Sequence, residues 1–249
     1  MSYRFINEFI GYGGCISRSI SFLGLDKQET FLKNKNELGP EWYYFNRPIE
    51  YKFNQLGHRS REIDDLDLNN YFLVSGCSIT TGVGLEKEHT YHELISKDLN
   101  IAHYNLALGG TGNDIIFFNL LQWSMTFKNN PPKFIIVQWT NPCRYSLMSK
   151  EHIEIFGPWV ADPILVTETS NRYFFYKAQF FRKMIKKIFA CPIYEIGWIH
   201  FAELEYQTTF YSDCIYMMPA PNDLARDLTH PGIHSHRTWK EQLLNTINV

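Results

Sequence analysis

Two short segments, far apart in the chain, carry side chains suited to nucleophilic chemistry. The first is Gly76-Cys77-Ser78, directly after the apolar run Tyr71-Phe72-Leu73-Val74 and followed by Gly82 and Gly84. A buried strand that stops at a serine and turns through glycines toward a helix lifts a nucleophile out of a sheet. The second segment is Asp227-Leu228-Thr229-His230-Pro231. A serine hydroxyl is a weak nucleophile at its free pKa and needs a base within hydrogen-bond reach. A carboxylate on one imidazole nitrogen fixes the tautomer and stabilises the cation formed when the other nitrogen takes a proton. Ser78, His230 and Asp227 therefore have the residue types of a Ser-His-Asp relay, the chemistry of a hydrolase or an acyl transferase. Taken singly, the first segment is also an ordinary strand-to-helix turn, and the second a solvated acid with a surface histidine.

Two more segments bear on the same chemistry. Asn105-Leu106-Ala107-Leu108-Gly109-Gly110-Thr111-Gly112-Asn113-Asp114 is glycine-rich, and glycine lets a backbone N–H approach a reacting oxygen closely. A mobile strand-to-helix loop has the same composition. In Gln138-Trp139-Thr140-Asn141-Pro142 the Asn141 amide has a donor for an oxyanion, or its oxygen can close an Asx turn before the proline.

These segments need a scaffold. Tyr71–Ser75 reads as a strand, Thr90–Leu99 as a helix capped by Thr90 and Glu93, Ile101–Leu106 as a strand and Asn113–Phe127 as a helix. Phe134-Ile135-Ile136-Val137, bounded by Pro131-Pro132, is a continuous apolar run expected of a strand buried on both faces. Asn171–Phe189 reads as a basic, aromatic-rich helix, Ile193–Ile199 and Cys214–Met218 as strands, and a last helix opens at Pro231 and runs to Asn245. Strands alternating with helices imply a parallel sheet covered on both faces, with ligands beyond the carboxyl ends of the strands. Ser78, Gly110 and Asn141 each fall just past such an end. The expected fold is a flavodoxin-like three-layer α/β/α sandwich over residues 71–249. Residues 1–70, with weak periodicity and an aromatic cluster at Trp42-Tyr43-Tyr44-Phe45, form an N-terminal extension packed on it.

Composition narrows the function. With 249 residues, 45% apolar and 16% aromatic, the chain can build one sizeable core. A net charge of −2 gives no electrostatic case for nucleic acid or an anionic membrane. Five scattered cysteines without a CxxC pair argue against a disulfide framework and for reduced thiols. No run reaches the ~18 apolar residues of a membrane span, and Glu8 interrupts the first apolar stretch before a signal-peptide core can form. Cytoplasmic residence is expected, with release or carriage on a particle as the alternatives. Other constellations weigh less. Cys77 would be an intrinsically better nucleophile than Ser78, but free cysteines are commonly buried packing residues. His230, His234 and His236 lack a carboxylate or cysteine partner for a metal. The cations Arg172, Lys177, Arg182, Lys183, Lys186 and Lys187 read as a solvated helix face.

In order and spacing these segments resemble the SGNH (GDSL-type) hydrolase superfamily. Gly76-Cys77-Ser78-Ile79-Thr80-Thr81-Gly82 is similar to the Gly-x-Ser-x-Thr-x-Gly form of its first block, and Gly110, Asn141 and Asp227–Pro231 match the later blocks. His236 falls where many members carry a second histidine, and Asn54–Arg59 resembles a lead-in seen in some. The resemblance covers about residues 71–247. It implies an SGNH fold with Ser78 as nucleophile, His230 as base and Asp227 orienting it. It also implies an oxyanion hole from the N–H groups of Ser78 and Gly110 and the side chain of Asn141. The implied activity is hydrolysis of a small acyl ester, for example an O-acetyl group on a carbohydrate, through an acyl-enzyme and without cofactor or metal. Cys77 replaces the family's Asp, and Trp139 and Pro142 replace a Gly and a second Asp. Trp139 is then expected to wall the pocket or stack on a sugar ring. These departures leave two other readings: a non-catalytic binding or structural module of the same fold, and an acyltransferase to a sugar. The oligomeric state is not written in these residues.

Overall fold

A computed structural model describes residues 2–149, 153–157, 168–197 and 213–247. The elements in chain order are β1 (Tyr3–Ile6), β2 (Phe9–Tyr12), β3 (Ser19–Ile20), α1 (Gln28–Leu38), β4 (Tyr51–Lys52), β5 (Tyr71–Ser75), α2 (Ser78–Thr81), α3 (Tyr91–Leu99) and β6 (Ala102–Asn105). They continue with α4 (Asn113–Thr126), β7 (Ile135–Trp139), β8 (Tyr145–Met148), β9 (Ile153–Phe156), α5 (Glu168–Ile188), β10 (Ile193–Gly197), β11 (Ile215–Tyr216) and α6 (Ile233–Leu244). Residues 198–199 of the expected strand Ile193–Ile199 lie outside the described residues.

The central sheet has the order β11-β10-β7-β5-β6, and every pairing in it is parallel. Counting only these five strands along the chain, the order is the 2-1-3-4-5 of a flavodoxin-like sheet. Side chains alternate across each strand. Leu73, Ile135 and Val137 point to one face, where they meet Ile116, Leu120 and Trp123 of α4 and Ile185 of α5. Phe72, Val74 and Ile136 point to the other, against Tyr91 and Ile95 of α3 and Trp239 and Leu243 of α6. All five residues of β5 and all five of β7 are buried, which explains why both read as unbroken apolar strands.

The N-terminal residues close over the carboxyl ends of these strands. β1 and β2 form a hairpin in an antiparallel sheet of order β2-β1-β9-β8, so the N-terminus pairs with the excursion that follows β7. Ile10, Tyr12, Ile49, Tyr51 and Phe53 share a cluster with Val83, Leu85, Leu108 and Ala225, all from loops at the mouth of the central sheet. Phe9, Leu56 and Leu66 join the core beneath it.

Three local expectations need correction. Thr90 sits at the N-cap of α3 but makes no capping bond, because its hydroxyl donates to the Lys87 carbonyl (2.8 Å) in the preceding 3-10 turn. Glu93 pairs with Lys87 (2.9 Å) rather than closing a capping box. α6 begins at Ile233, after Pro231 has formed a bridge with Leu224, and its first turn is capped by Asp223, whose Oδ2 accepts from Ser235 N (2.5 Å) and Oγ (2.6 Å). Arg182 is not on a solvated face. It is buried and forks onto Glu195 (2.8 and 3.0 Å), with Asp213 2.7 Å away.

Candidate active site

β5 delivers its chain end to the site through a turn only glycine permits. A Cβ on Gly76 would lie 2.4 Å from Thr80 Oγ1. Cys77 follows, and Ser78 opens α2, which ends at Gly82 with φ +77. The far side of this turn is gripped by buried groups. Arg59 donates to the carbonyls of Thr81 (3.1 Å), Gly82 (2.6 Å) and Leu85 (2.9 Å). His92 Nε2 donates to the Thr80 carbonyl (2.8 Å), and Thr80 Oγ1 donates to Gln138 (2.8 Å). The segment Asn54–Arg59 thus acts on the serine from behind: Asn54 accepts the N–H groups of Leu56 and His58, both at 3.0 Å, and shapes the loop that presents Arg59.

The loop before α6 carries Asp227 and His230. Asp227 Oδ1 accepts the N–H of Thr229 (3.1 Å) and of His230 (3.0 Å), while Oδ2 lies 2.5 Å from His230 Nδ1. The bond to Nδ1 leaves Nε2 as the outward nitrogen. Burial pushes the Asp227 carboxyl up, but the His230 ring and the two backbone donors outweigh it and hold the group below its usual range. Leu228 takes the left-handed conformation (φ +54) that lets so short a loop return the imidazole to its own carboxylate.

This loop docks directly on the serine loop. Arg226 N donates to the Gly84 carbonyl (3.0 Å), and a Cβ on Gly84 would fall 3.2 Å from Asp227 Oδ1. Arg226 is itself fixed from the N-terminal residues. Its Nε is 2.9 Å and its Nη2 2.6 Å from the buried Asp26, and Tyr51 bridges Asp26 (2.5 Å) to Gly84 N (2.8 Å).

Ser78 and His230 line one cavity of about 490 Å³, with Tyr3, Tyr12, Leu25, Cys77, Gly109, Gly110, Thr140 and Arg144 among its walls. Gly109 lies against the serine: its Cβ would be 3.4 Å from Ser78 Cβ. Gly110 has φ +83, a conformation that glycine adopts without strain. Among the described residues neither the Gly110 nor the Ser78 N–H donates to another group, so both are available to a bound oxygen.

Two expected residues stand elsewhere. Trp139 is fully buried in the core beside Val137 and donates its indole N–H to Glu195 (2.8 Å), so it is not part of the cavity wall. Asn141 does not line the cavity either; its Oδ1 accepts the N–H of Cys143 (2.8 Å), an Asx turn. Cys77 does reach the cavity, with Sγ 3.9 Å from Ser78 Oγ. Burial pushes its thiol up, yet the Arg144 charge and hydrogen bonds from Thr140 and Ser78 bring it below the ordinary value. His234 is exposed, and the buried His236 accepts the Tyr91 N–H at Nδ1 (3.1 Å), so the three histidines of this region do not converge.

Strand order, crossover pattern and the position of the serine turn together define the architecture. The chain has the SGNH hydrolase fold. Among solved structures it is similar to a carbohydrate esterase family 2 enzyme with a carbohydrate-binding domain from Corynascus thermopiles (Myceliophthora fergusii), at TM-score 0.53 and 16% identity over 71% of this chain and 65% of that one. It is also similar to an acetyl xylan esterase from the rumen bacterium Butyrivibrio proteoclasticus (0.50, 13%, 75% and 64%). A family two carbohydrate esterase from Clostridium thermocellum, in complex with cellohexaose, gives 0.51 and 13% over 72% and 63%. The chain thus spans less than two thirds of each of these proteins. No protein-family model matches the sequence, and no curated protein matches it. Among the described residues no helix is long and apolar enough to cross a membrane.

Proposed function

We propose that the chain is a serine esterase acting on a small acyl ester. The observation that carries this reading is the Asp227–His230 pair, closed at 2.5 Å and opening on the same cavity as Ser78 and Gly110. His230 Nε2 takes the Ser78 proton as Oγ bonds to the ester carbonyl carbon. The carbonyl oxygen becomes an oxyanion held by the N–H groups of Ser78 and Gly110. Collapse breaks the ester C–O bond, the alcohol leaves with the proton from His230, and the acyl group stays on Ser78. Water, deprotonated by His230, then attacks the acyl carbon and releases the acid. This reading assigns the oxyanion hole two backbone donors, since Asn141 is not among the residues that line the cavity.

Carbohydrate O-acetyl groups are the first substrate to try. What supports them is likeness in fold to esterases of carbohydrates, one of them an acetyl xylan esterase, together with a cavity inside the roughly 300–1,000 Å³ typical of small-ligand sites. The test is hydrolysis of p-nitrophenyl acetate, butyrate and octanoate, followed by acetylated xylan. Wild type is expected to turn over acetate best, Ser78→Ala to fall to background, and Cys77→Ala to stay within about threefold of wild type, since the thiol takes no part in the proton relay. Loss of turnover in Cys77→Ala with activity kept in Ser78→Ala would transfer the nucleophile to the thiol.

A further inference from the structure

The Gly110 N–H is useful to an oxyanion only if the peptide that carries it is held still. The loop is pinned at Leu106 (N to Val74 O, 2.8 Å), Leu108 (N to Gly76 O, 3.2 Å) and Thr111 (Oγ1 to Leu108 O, 2.6 Å), but among the described residues none of these bonds holds the Gly109–Gly110 peptide. The restraint comes from the other end of the chain. β1 and β2 are joined by the two-residue turn Asn7-Glu8, both residues left-handed (φ +46 and +71), and their register sets Tyr3 directly opposite Tyr12. Residues opposite each other in a hairpin project from the same face, and the two rings lie 5.3 Å apart. Both hydroxyls converge on Gly109. Tyr3 Oη donates to the Gly109 carbonyl, and the Gly109 N–H donates to Tyr12 Oη. A side chain at Gly109 would meet Tyr12 Oη at 2.9 Å, so the glycine is what lets the clamp close.

The Gly109 carbonyl and the Gly110 N–H belong to one planar trans peptide. Fixing the carbonyl oxygen therefore fixes the direction of the N–H at its opposite edge. A hydrogen bond accepted by a carbonyl also polarises its peptide and strengthens the N–H as a donor. The hairpin is in turn anchored. Asn119 of α4 bonds both the N–H and the carbonyl of Ile10 (2.9 Å each), His58 Nε2 donates to the same carbonyl (2.9 Å), and Tyr12 N donates to Gly57 O (3.1 Å). Burial holds the Tyr3 hydroxyl protonated, with its pKa raised to about 12, so it remains a donor through neutral pH.

We propose that Tyr3 and Tyr12 are positioning residues that set the Gly109–Gly110 peptide of the oxyanion hole, so that the N-terminal hairpin completes the active site. This rests on the esterase reading. The clamp acts on the charge that develops during reaction and not on the resting ester, so its loss lowers kcat and leaves KM in place.

The test is Tyr3→Phe, which keeps the ring and removes the hydroxyl, with Tyr12→Phe and the double variant beside it. Kinetics on p-nitrophenyl acetate are read with the inhibition constant of phenylboronic acid, whose tetrahedral serine adduct mimics the intermediate, and with the thermal midpoint. Tyr3→Phe is expected to lower kcat about 10–100-fold, somewhat less than removal of an oxyanion donor outright, with KM within about twofold and boronate affinity falling in parallel. Tyr12→Phe leaves the Gly109 N–H without its acceptor, and the double variant is expected to lose less than the product of the two single losses. An active wild type with Tyr3→Phe unchanged in kcat and boronate affinity would overturn the clamp and leave the esterase reading standing. So would a fall in the thermal midpoint with kcat and boronate affinity intact. A folded wild type that turns over no ester and binds no boronate would overturn the esterase reading, and the clamp with it.

Discussion

Asp227→Asn is expected to lower kcat for ester hydrolysis by about 10⁴-fold, the scale seen when a triad carboxylate becomes an amide. The Asp227 carboxylate, 2.5 Å from His230 Nδ1, accepts that nitrogen's proton in a hydrogen bond and leaves Nε2 with a lone pair for Ser78. An asparagine keeps the shape and the Oδ1 contacts to Thr229 N and His230 N. Its amide N–H would face Nδ1, which then must accept. The ring proton moves to Nε2, and Nε2 can no longer take a proton from the serine. The variant also loses the charge that stabilises the imidazolium. Because the same backbone donors are still satisfied, the fold is retained, and circular dichroism should match wild type. Steady-state kinetics decide it. A loss of less than tenfold would show that His230 is not oriented through Asp227.

Acidification is expected to unfold the protein well above the pH at which carboxylates protonate. Four histidines are buried neutral, and three of them use a ring nitrogen as a hydrogen-bond acceptor. His58 Nδ1 accepts from Tyr104 Oη (3.0 Å) while its Nε2 donates to Ile10 O. His92 donates through Nε2 to Thr80 O, so its Nδ1 accepts from His103 Nε2 (2.8 Å). His236 Nδ1 accepts the Tyr91 N–H. Desolvation pushes His58 down to about 4 and His92 and His236 to about 3, and pushes His103 well below its ordinary value. The carboxylate nearest His103, that of Glu93 at 3.6 Å, is already neutralised by Lys87. Since the folded pKa values lie below the unfolded value near 6.5, the unfolded chain binds the extra protons. Stability is then fully present above about pH 6.5 and drains away as pH falls toward 4. At pH 5 the loss is roughly 2 kcal/mol for a histidine held as low as His58, His92 or His236, and several such groups remove a large part of a typical total of about 5–15 kcal/mol. Urea midpoints at pH 7.5, 6.5 and 5.5 check this. A steep fall over the lower interval is expected, and a flat profile down to pH 5.5 would contradict it. His92 and His236 hold Thr80 O and Tyr91 N behind the serine turn, so activity should fail together with the fold.

The central sheet was legible because its inner strands are unbroken apolar runs, and the serine, glycine and histidine segments because they sit at strand ends. The misplacement of Trp139 came from two residues of strand. Ending β7 at Val137 puts the tryptophan in a loop over the site; in the structure β7 runs to Trp139, and the two-residue alternation turns that side chain to the face of Ile135 and Val137. Asn141 closes an Asx turn by accepting Cys143 N at Oδ1, one of the two uses open to that residue before a proline, and it lies outside the cavity lining. Arg182 looked like one more cation on a basic helix, because its partners, Glu195 and Asp213, are distant in sequence.

The N-terminal part of the site was the least legible. Two β-prone quartets, Tyr3–Ile6 and Phe9–Tyr12, flank a two-residue turn, a hairpin signal in itself. The usual glycine is missing from that turn. Glu8 takes the left-handed conformation instead, its carboxylate accepting from Gln122 Nε2 (2.8 Å) on α4, a contact no local pattern announces. Asp26 and Arg226 are 200 residues apart, and nothing in either segment marks the other as its partner.

The central claim is that Ser78 is a nucleophile activated by His230. Incubation of the folded protein with a fluorophosphonate, followed by peptide mass spectrometry, tests it most directly. The account predicts one covalent adduct, on the peptide containing Ser78, absent from Ser78→Ala and formed at least about a hundredfold more slowly in His230→Ala, the scale set by loss of a general base. An adduct on a different residue, or none on a protein whose circular dichroism shows it folded, would contradict it.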